Sequence, residues 1–214
     1  MGEENLRPYL TAAGNSEREI LIQRSRFIGR CFPVKTEKEA LGVLADIRRR
    51  HWDASHNCYA YSIGPGGGCA RYSDDGEPGG TAGLPMMEVL RRREVTDVLC
   101  VVTRYFGGIL LGSGGLIRAY STGASIAVKA ASKAKIVPCG EYQVTLDYPQ
   151  LGSFQNLLST VEGEQTDAQY TDRIALTVVV PQEQANAFES RVVETFNATV
   201  VPQLVGTSNR PVKV

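Results

Sequence analysis

At 214 residues with 43% apolar side chains, the chain is sized for one large or two small folded domains. No apolar run approaches the ~20 residues that span a bilayer, and the start, Met1-Gly-Glu-Glu-Asn5, is acidic where a secretory signal is basic and then apolar, so a cytoplasmic protein without membrane contact is expected. The net charge is zero, but residues 1–136 hold 19 basic against 14 acidic side chains and residues 137–214 hold 4 against 9. That asymmetry fits either a first part that meets phosphates or an ordinary fluctuation.

Residues 1–15 read as loose. Arg18–Gln23 and Arg26–Val34 read as two strands around Arg24-Ser25. Thr36-Glu-Lys-Glu39 is a capping box opening a helix to about Arg50, with Ala40, Leu41, Val43, Leu44 and Ile47 inward and Arg48-Arg49-Arg50 at the negative end of its dipole. Asn57–Ile63 and Ala70–Ser73 read as strands, separated by the flexible Gly64-Pro-Gly-Gly-Gly68. An acidic, glycine-rich loop follows, Asp74-Asp-Gly-Glu-Pro-Gly-Gly-Thr-Ala-Gly-Leu-Pro85, and then a helix to about Arg93, capped by Thr81 or a nearby residue.

Thr96–Thr103 is an apolar run that predicts a buried central strand. It feeds a second glycine-rich loop with five glycines between Gly107 and Gly115 (Gly107, Gly108, Gly112, Gly114 and Gly115). A helix from about Ser113 to Ala134 leaves that loop, with Leu116, Tyr120, Ala124, Ala127 and Ala131 on one stripe. Its N-terminus offers free N–H groups and the positive end of the dipole, so it is a candidate anion site.

Pro138-Cys-Gly140 reads as a linker. Beyond it the pattern is strand (Tyr142–Tyr148), helix (Gln150–Val161), strand (Gln165–Tyr170), strand (Arg173–Val180), helix (Gln182–Phe196) and strand (Thr199–Leu204), the order of a ferredoxin-like βαββαβ unit. The tail from Gly206 reads as disordered. The expected fold class is α+β, with domains over residues 1–136 and 137–214.

The chemistry-bearing patterns exclude more than they indicate. The glycine loop lacks the Gly-Lys-Ser/Thr of a P-loop, and Ile117 stands where a dinucleotide-binding turn needs its third glycine. Ser113 follows Gly112, but Leu111 stands where a nucleophile elbow needs glycine, and no catalytic triad can be argued. Two histidines, His51 and His56, supply a zinc centre poorly, and Asp74, Asp75 and Glu77 lack calcium-loop spacing, so neither a metal nor a cofactor is expected. Five scattered cysteines without a Cys-x-x-Cys pair point to reduced thiols.

Arg104 and Arg118 flank the glycine loop. Arg118, early in a helix, opposes the dipole and calls for a nearby negative charge. That charge is either an external phosphate or the protein's own Asp74, Asp75 and Glu77 folded onto the loop. Tyr59, Tyr61, Tyr72, Tyr105, Phe106 and Tyr120 suit stacking on unpaired bases if exposed, and are core if buried.

Arg71-Tyr-Ser-Asp-Asp-Gly-Glu-Pro-Gly-Gly-Thr-Ala-Gly-Leu-Pro85, together with Val101-Val-Thr-Arg-Tyr-Phe-Gly-Gly-Ile-Leu-Leu-Gly112, resembles the IMPACT family and its bacterial YigZ-type branch over nearly the whole chain. The resemblance implies a first domain like domain 2 of ribosomal protein S5, then a ferredoxin-like domain resembling modules of elongation factor G. Both analogies point to RNA, ribosome or translation-factor surfaces, and no catalytic residue comes with them. Eukaryotic members regulate translation in amino-acid starvation with an additional N-terminal domain, which this chain is expected to lack.

The leading expectation is a non-enzymatic, translation-linked protein that contacts RNA, the ribosome or a translation-associated protein. Its binding cleft would be formed by His56, Tyr59, Arg71, Asp74, Asp75, Glu77, Arg104, Tyr105, Arg118 and the five loop glycines. The alternatives are a small hydrolase or transferase acting on an anionic ligand in the same cleft, and a protein-interaction module with no anion site. Nothing in the pattern speaks to oligomeric state.

Overall fold

The computed structural model describes residues 8–213 as an α+β protein with two compact units, built mainly from Tyr9–Lys135 and from Ile136–Arg210. In the first unit, β1 (Tyr9–Ala12) and β2 (Ser16–Ile22) precede β3 (Ser25–Pro33), α1 (Glu37–Arg50), β4 (His56–Ile63) and β5 (Cys69–Ser73). They are followed by α2 (Gly83–Arg92), β6 (Val98–Tyr105) and α3 (Gly112–Ala130). The antiparallel sheet has the order β2-β3-β6-β4-β5, so β6 lies at its centre.

The unbroken apolar run of β6 has a simple cause. Val98, Cys100 and Val102 face α2 and α3, in a core with Phe27, Met86, Tyr120 and Ala124. Leu99 and Val101 face α1, packed with Leu44, Ile47 and Tyr61. Both faces of the strand are covered, so the alternation of a half-buried strand disappears. On the first of these faces α3 meets β3 backbone to backbone. A Cβ on Gly29 would stand 2.2 Å from the Gly123 carbonyl oxygen, so only glycine allows this approach.

Several local expectations need correction. Residues 9–12 are not loose: Leu10 O accepts from Thr96 N at 2.9 Å and Tyr9 Oη donates to Asp97 at 2.5 Å, which holds β1. Residues 1–7 lie outside the described part. Leu41 is exposed, so the inward stripe of α1 is Ala40, Leu44 and Ile47, with Val43 partly buried against the same core. The capping box is displaced by one residue: Thr36 accepts from Glu39 N, but the Glu39 carboxylate reaches back to Lys35 N at 2.7 Å.

The second unit contains β7 (Lys133–Leu146), α4 (Leu151–Thr160), β8 (Glu164–Tyr170), β9 (Ile174–Pro181), α5 (Ala185–Thr195) and β10 (Gln203–Lys213). Its strands run in the order β8-β9-β7-β10, and Tyr142, Val144, Phe154, Leu176, Val178, Phe188 and Val192 form its core. The expected linker at Pro138–Gly140 is strand. The β7–β9 ladder begins at Cys139, one residue after the proline, so the missing N–H of Pro138 is not demanded there. The expected disordered tail is also strand. Its side chains are mostly exposed or half-buried, so its composition carries no strand signal, and backbone pairing to β7 forms the element.

Candidate functional site

One end of the first sheet gathers the chemistry. Strand register sets His56 and Phe27 directly across from Arg104, all on the face toward α2 and α3. Arg104 is buried there between the rings of Phe27 and Phe106, each 5.4 Å from its guanidinium. Its Nη1 donates to Glu77 Oε1 at 2.7 Å, while Nη2 reaches Ser25 Oγ at 3.4 Å and Nε has no partner. The same Glu77 oxygen accepts from Tyr120 Oη at 2.6 Å. Burial, with the nearby Cys58 and Glu77, pushes the Tyr120 phenol far up, so it stays a donor. Burial also raises the Cys58 thiol to about 12, which removes it as a nucleophile at neutral pH.

His56 Nδ1 lies 2.9 Å from the Asp75 carbonyl. A carbonyl only accepts, so Nδ1 carries a proton. Nε2 stands 3.8 Å from Glu77 Oε1, beyond hydrogen-bond reach.

The acidic loop is spent inside the protein. Asp74 caps α2: Oδ1 accepts from Ala82 N and Gly83 N at 2.9 and 2.8 Å, and Oδ2 from Gly80 N at 2.9 Å. Burial works to raise this carboxyl, but the three N–H donors prevail and hold it below its ordinary value. The expected cap, Thr81, instead donates its hydroxyl to Pro78 O. Asp75 pairs with Arg48 at 2.6 Å and accepts from Asn57 N at 2.7 Å.

The glycine loop passes against the β2–β3 turn. A Cβ on Gly107 would stand 2.1 Å from the Arg24 carbonyl group, which demands glycine there. Gly108 and Gly112 have positive φ and open space where a Cβ would stand, while a Cβ on Gly114 would meet Arg118 Nη1 at 3.9 Å. Leu111 sits at the cap position of α3 and no side chain caps the helix. Arg118 projects from the second turn, exposed and without an ion-pair partner among the described residues. A cavity of about 500 Å³ opens beside this terminus. His56, Glu77, Arg104, Gly112 and Ser113 supply its polar lining, and Phe106, Leu110, Leu111 and Leu116 its apolar walls. Leu110 is 85% exposed at the rim.

Other expected site residues lie elsewhere. Tyr59 stacks on Tyr61 in the core beneath α1. Arg71 pairs with Glu37 at 3.2 Å. Tyr105 belongs to a second polar network on the α1 face, which the sequence reading missed. There Arg30 donates to Glu17 at 2.6 Å, to Thr103 at 2.9 Å and to His51 Nε2 at 2.7 Å. His51 Nδ1 then donates to Tyr105 Oη at 2.8 Å, and Tyr105 to Asp53 at 3.2 Å. Burial and the Arg30 charge lower the His51 pKa, consistent with this neutral ring. A lone arginine between Gly29 and Cys31 in an otherwise apolar stretch was the available signal.

Among the described residues no group of three His, Cys, Asp or Glu side chains could hold a metal, and no helix is long and apolar enough to cross a membrane. Known families match most of the chain: the Impact N-terminal domain over residues 23–128, and a domain of unknown function, DUF1949, over residues 144–199. "IMPACT family member YvyE" of Bacillus subtilis is 39% identical over 90% of this chain and 88% of its own length. "IMPACT family member YigZ" of Escherichia coli is 34% identical over 81% and 86%. A crystal structure described as that of a hypothetical protein aligns with a TM-score of 0.62 and 31% identity, covering 93% of this chain and 98% of that one.

Proposed function

Because this chain belongs to the IMPACT family, and its glycine loop ends in an uncapped helix over an apolar cleft, we propose that it is a non-enzymatic, translation-linked protein that contacts RNA through that cleft. The observation that carries the reading is the open N-terminus of α3. It presents first-turn N–H groups and the positive end of a 19-residue helix dipole beside the exposed Arg118, which suits a phosphate. Phe106, half-exposed at the cavity rim, offers a ring face to an unpaired base.

The reading has fold-level support as well. The order β8-β9-β7-β10 is that of a ferredoxin-like βαββαβ unit. With the first unit read as S5 domain 2-like, both analogies lead to translation-associated proteins in a cytoplasmic setting. Binding rather than catalysis fits the cleft, because Glu77, Arg104 and Tyr120 are committed to one another.

The test is binding of a short unstructured RNA, followed by anisotropy at several salt concentrations, by the wild type and by Arg118→Ala. Salt-sensitive binding that the substitution weakens supports the proposal. Salt-insensitive binding, or none, rejects it. Turnover of a phosphorylated or carboxylate ligand would favour the enzyme reading instead, to which the unbonded His56 Nε2 in the cavity gives its one support.

A further inference from the structure

Away from the glycine loop, α2 and α3 leave a trough between their outer faces. Leu84, Pro85, Val89 and Arg92 of α2 and Ile117 and Ser121 of α3 line one cavity of about 300 Å³. A second cavity of about 350 Å³ lies beyond it, where Arg93 meets Ser125 and Ile126. Val89, Arg92 and Ser121 line both, so the two form one channel. Early residues of α2 meet early residues of α3 and late ones meet late ones, so the helices run side by side in the same direction. Arg93 Nη2 closes the far end with a 3.1 Å bond to Ser125 Oγ. The rows Leu84-Glu88-Arg92 and Ile117-Ser121-Ser125 have the i, i+4 spacing of helix ridges, between which the ridge of another helix packs. From Leu84 to Arg93 the trough spans about 13 Å at the helical rise.

The trough changes character along its length. Its first end is apolar and wet: Leu84 and Ile117 are 39% and 41% exposed, and Val89 is partly exposed. The short side chains of Ser121 and Ser125 let an occupant approach the α3 backbone closely. The far end is basic. Arg92 is exposed, Arg93 partly so, and Lys133 donates to the Arg93 carbonyl at 3.0 Å. None of the three has an ion-pair partner among the described residues. The negative end of the α2 dipole, roughly half an elementary charge, offsets less than one of them. Of the acids nearby, Glu88 is taken by Arg91 at 2.8 Å, which leaves the exposed Glu94 against three cations.

An apolar slot that ends in free cations selects a ligand with the complementary order. We infer that the α2–α3 trough docks an acidic amphipathic helix of a partner protein. Apolar side chains of that helix, at i and i+4, seat among Leu84, Val89 and Ile117, and its carboxylates meet Arg92, Arg93 and Lys133. A nucleic acid would use the basic end and leave the apolar end in water. The cavity at the glycine loop shares no lining residue with the trough, so the inference stands apart from the RNA reading.

The experiment selects displayed random peptides, long enough for several helical turns, on the immobilised whole chain. Enriched sequences are then made as labelled peptides and titrated by anisotropy against wild type, Arg92→Glu, Arg92→Lys, Ile117→Glu and Ser121→Trp. The enriched set is expected to combine apolar residues at i and i+4 with a cluster of Asp or Glu, and to gain helical circular dichroism on binding. Arg92→Glu should weaken binding roughly tenfold while Arg92→Lys keeps it. Ile117→Glu and Ser121→Trp, which charge or fill the trough, should abolish it. Arg92 and Ile117 are exposed, so their variants should unfold at the wild-type temperature and stay informative even where a tryptophan at position 121 disturbs the helix pair. Failure to enrich any sequence, enrichment of peptides without acidic residues, or affinities that none of the variants changes would each overturn the inference. So would a dimer that Ser121→Trp dissociates in sedimentation, which gives the trough to a second copy, or RNA binding that Ile117→Glu abolishes, which gives it to nucleic acid. Arg118→Ala, the test of the RNA cleft, should leave peptide binding unchanged, so the two readings fail separately.

Discussion

Glu77 and Arg104 form an ion pair 2.7 Å long, with both side chains almost fully withdrawn from water. The arginine flanking the glycine loop thus finds its counter-charge in the protein's own acidic loop, and Tyr120 supplies that carboxylate with a second donor. Removing one member of such a pair strands a buried charge. Glu77→Ala and Arg104→Ala should each lose about 3–5 kcal/mol in urea unfolding. A double substitution to apolar residues of similar volume should recover much of that loss. Single variants within about 1 kcal/mol of wild type would show the pair to be unimportant for the fold.

Asp74 joins the loop to α2. Its carboxyl has a depressed pKa in the folded state, so unfolding takes up protons as the pH falls below the ordinary carboxylate range near ~4. Its stabilising contribution is full above that range and is lost as pH drops through the folded value. Asp74→Ala should destabilise by about 1–2 kcal/mol at neutral pH. It should also flatten the acid limb of a stability–pH curve measured by denaturant unfolding. An unchanged acid limb would contradict the capping role.

Adjacent glycines in the loop should behave differently. A Cβ on Gly107 collides with backbone at 2.1 Å, whereas one on Gly108 meets nothing within 4 Å and strains only a φ of 83°. Gly108→Ala should cost about 1–2 kcal/mol. Gly107→Ala should cost more, or prevent folding, since backbone cannot yield as a side chain does. Thermal unfolding of the two variants settles the order.

Arg118 is exposed and unpaired among the described residues, so Arg118→Ala should shift stability by less than about 0.5 kcal/mol. If it neutralises one phosphate of a bound single strand, the slope of log K against log salt should become shallower by about 0.7. An unchanged slope with unchanged affinity would place the anion elsewhere.

Much of the architecture was legible because periodicity reflects burial. The stripe Leu116, Tyr120, Ala124, Ala127 and Ala131 is buried along α3, and the apolar run of β6 is covered on both faces. The misreadings fall where backbone pairing, rather than side-chain burial, makes the element. Pro138 precedes its ladder and Gly206 lies in the poorly buried β10, so glycine and proline suggested breaks where strands continue.

The candidate site was legible only in part. His56 and Tyr59, three residues apart in one strand, must face opposite ways, as must the adjacent Arg104 and Tyr105. The period of two in a strand is enough to separate them. It carries no information about which partners await on each face. That Arg104 meets Glu77 and Tyr120, and that Asp74 caps a helix eight residues later, depends on contacts between distant segments. The family, most of the elements and the glycine-rich corner follow from the amino-acid order alone, because local pattern and composition carry them. Which charges cancel at that corner and which stay free was settled by the folded chain, because charge pairing depends on distance and burial, and both are set by how the whole sheet and its helices close around the corner.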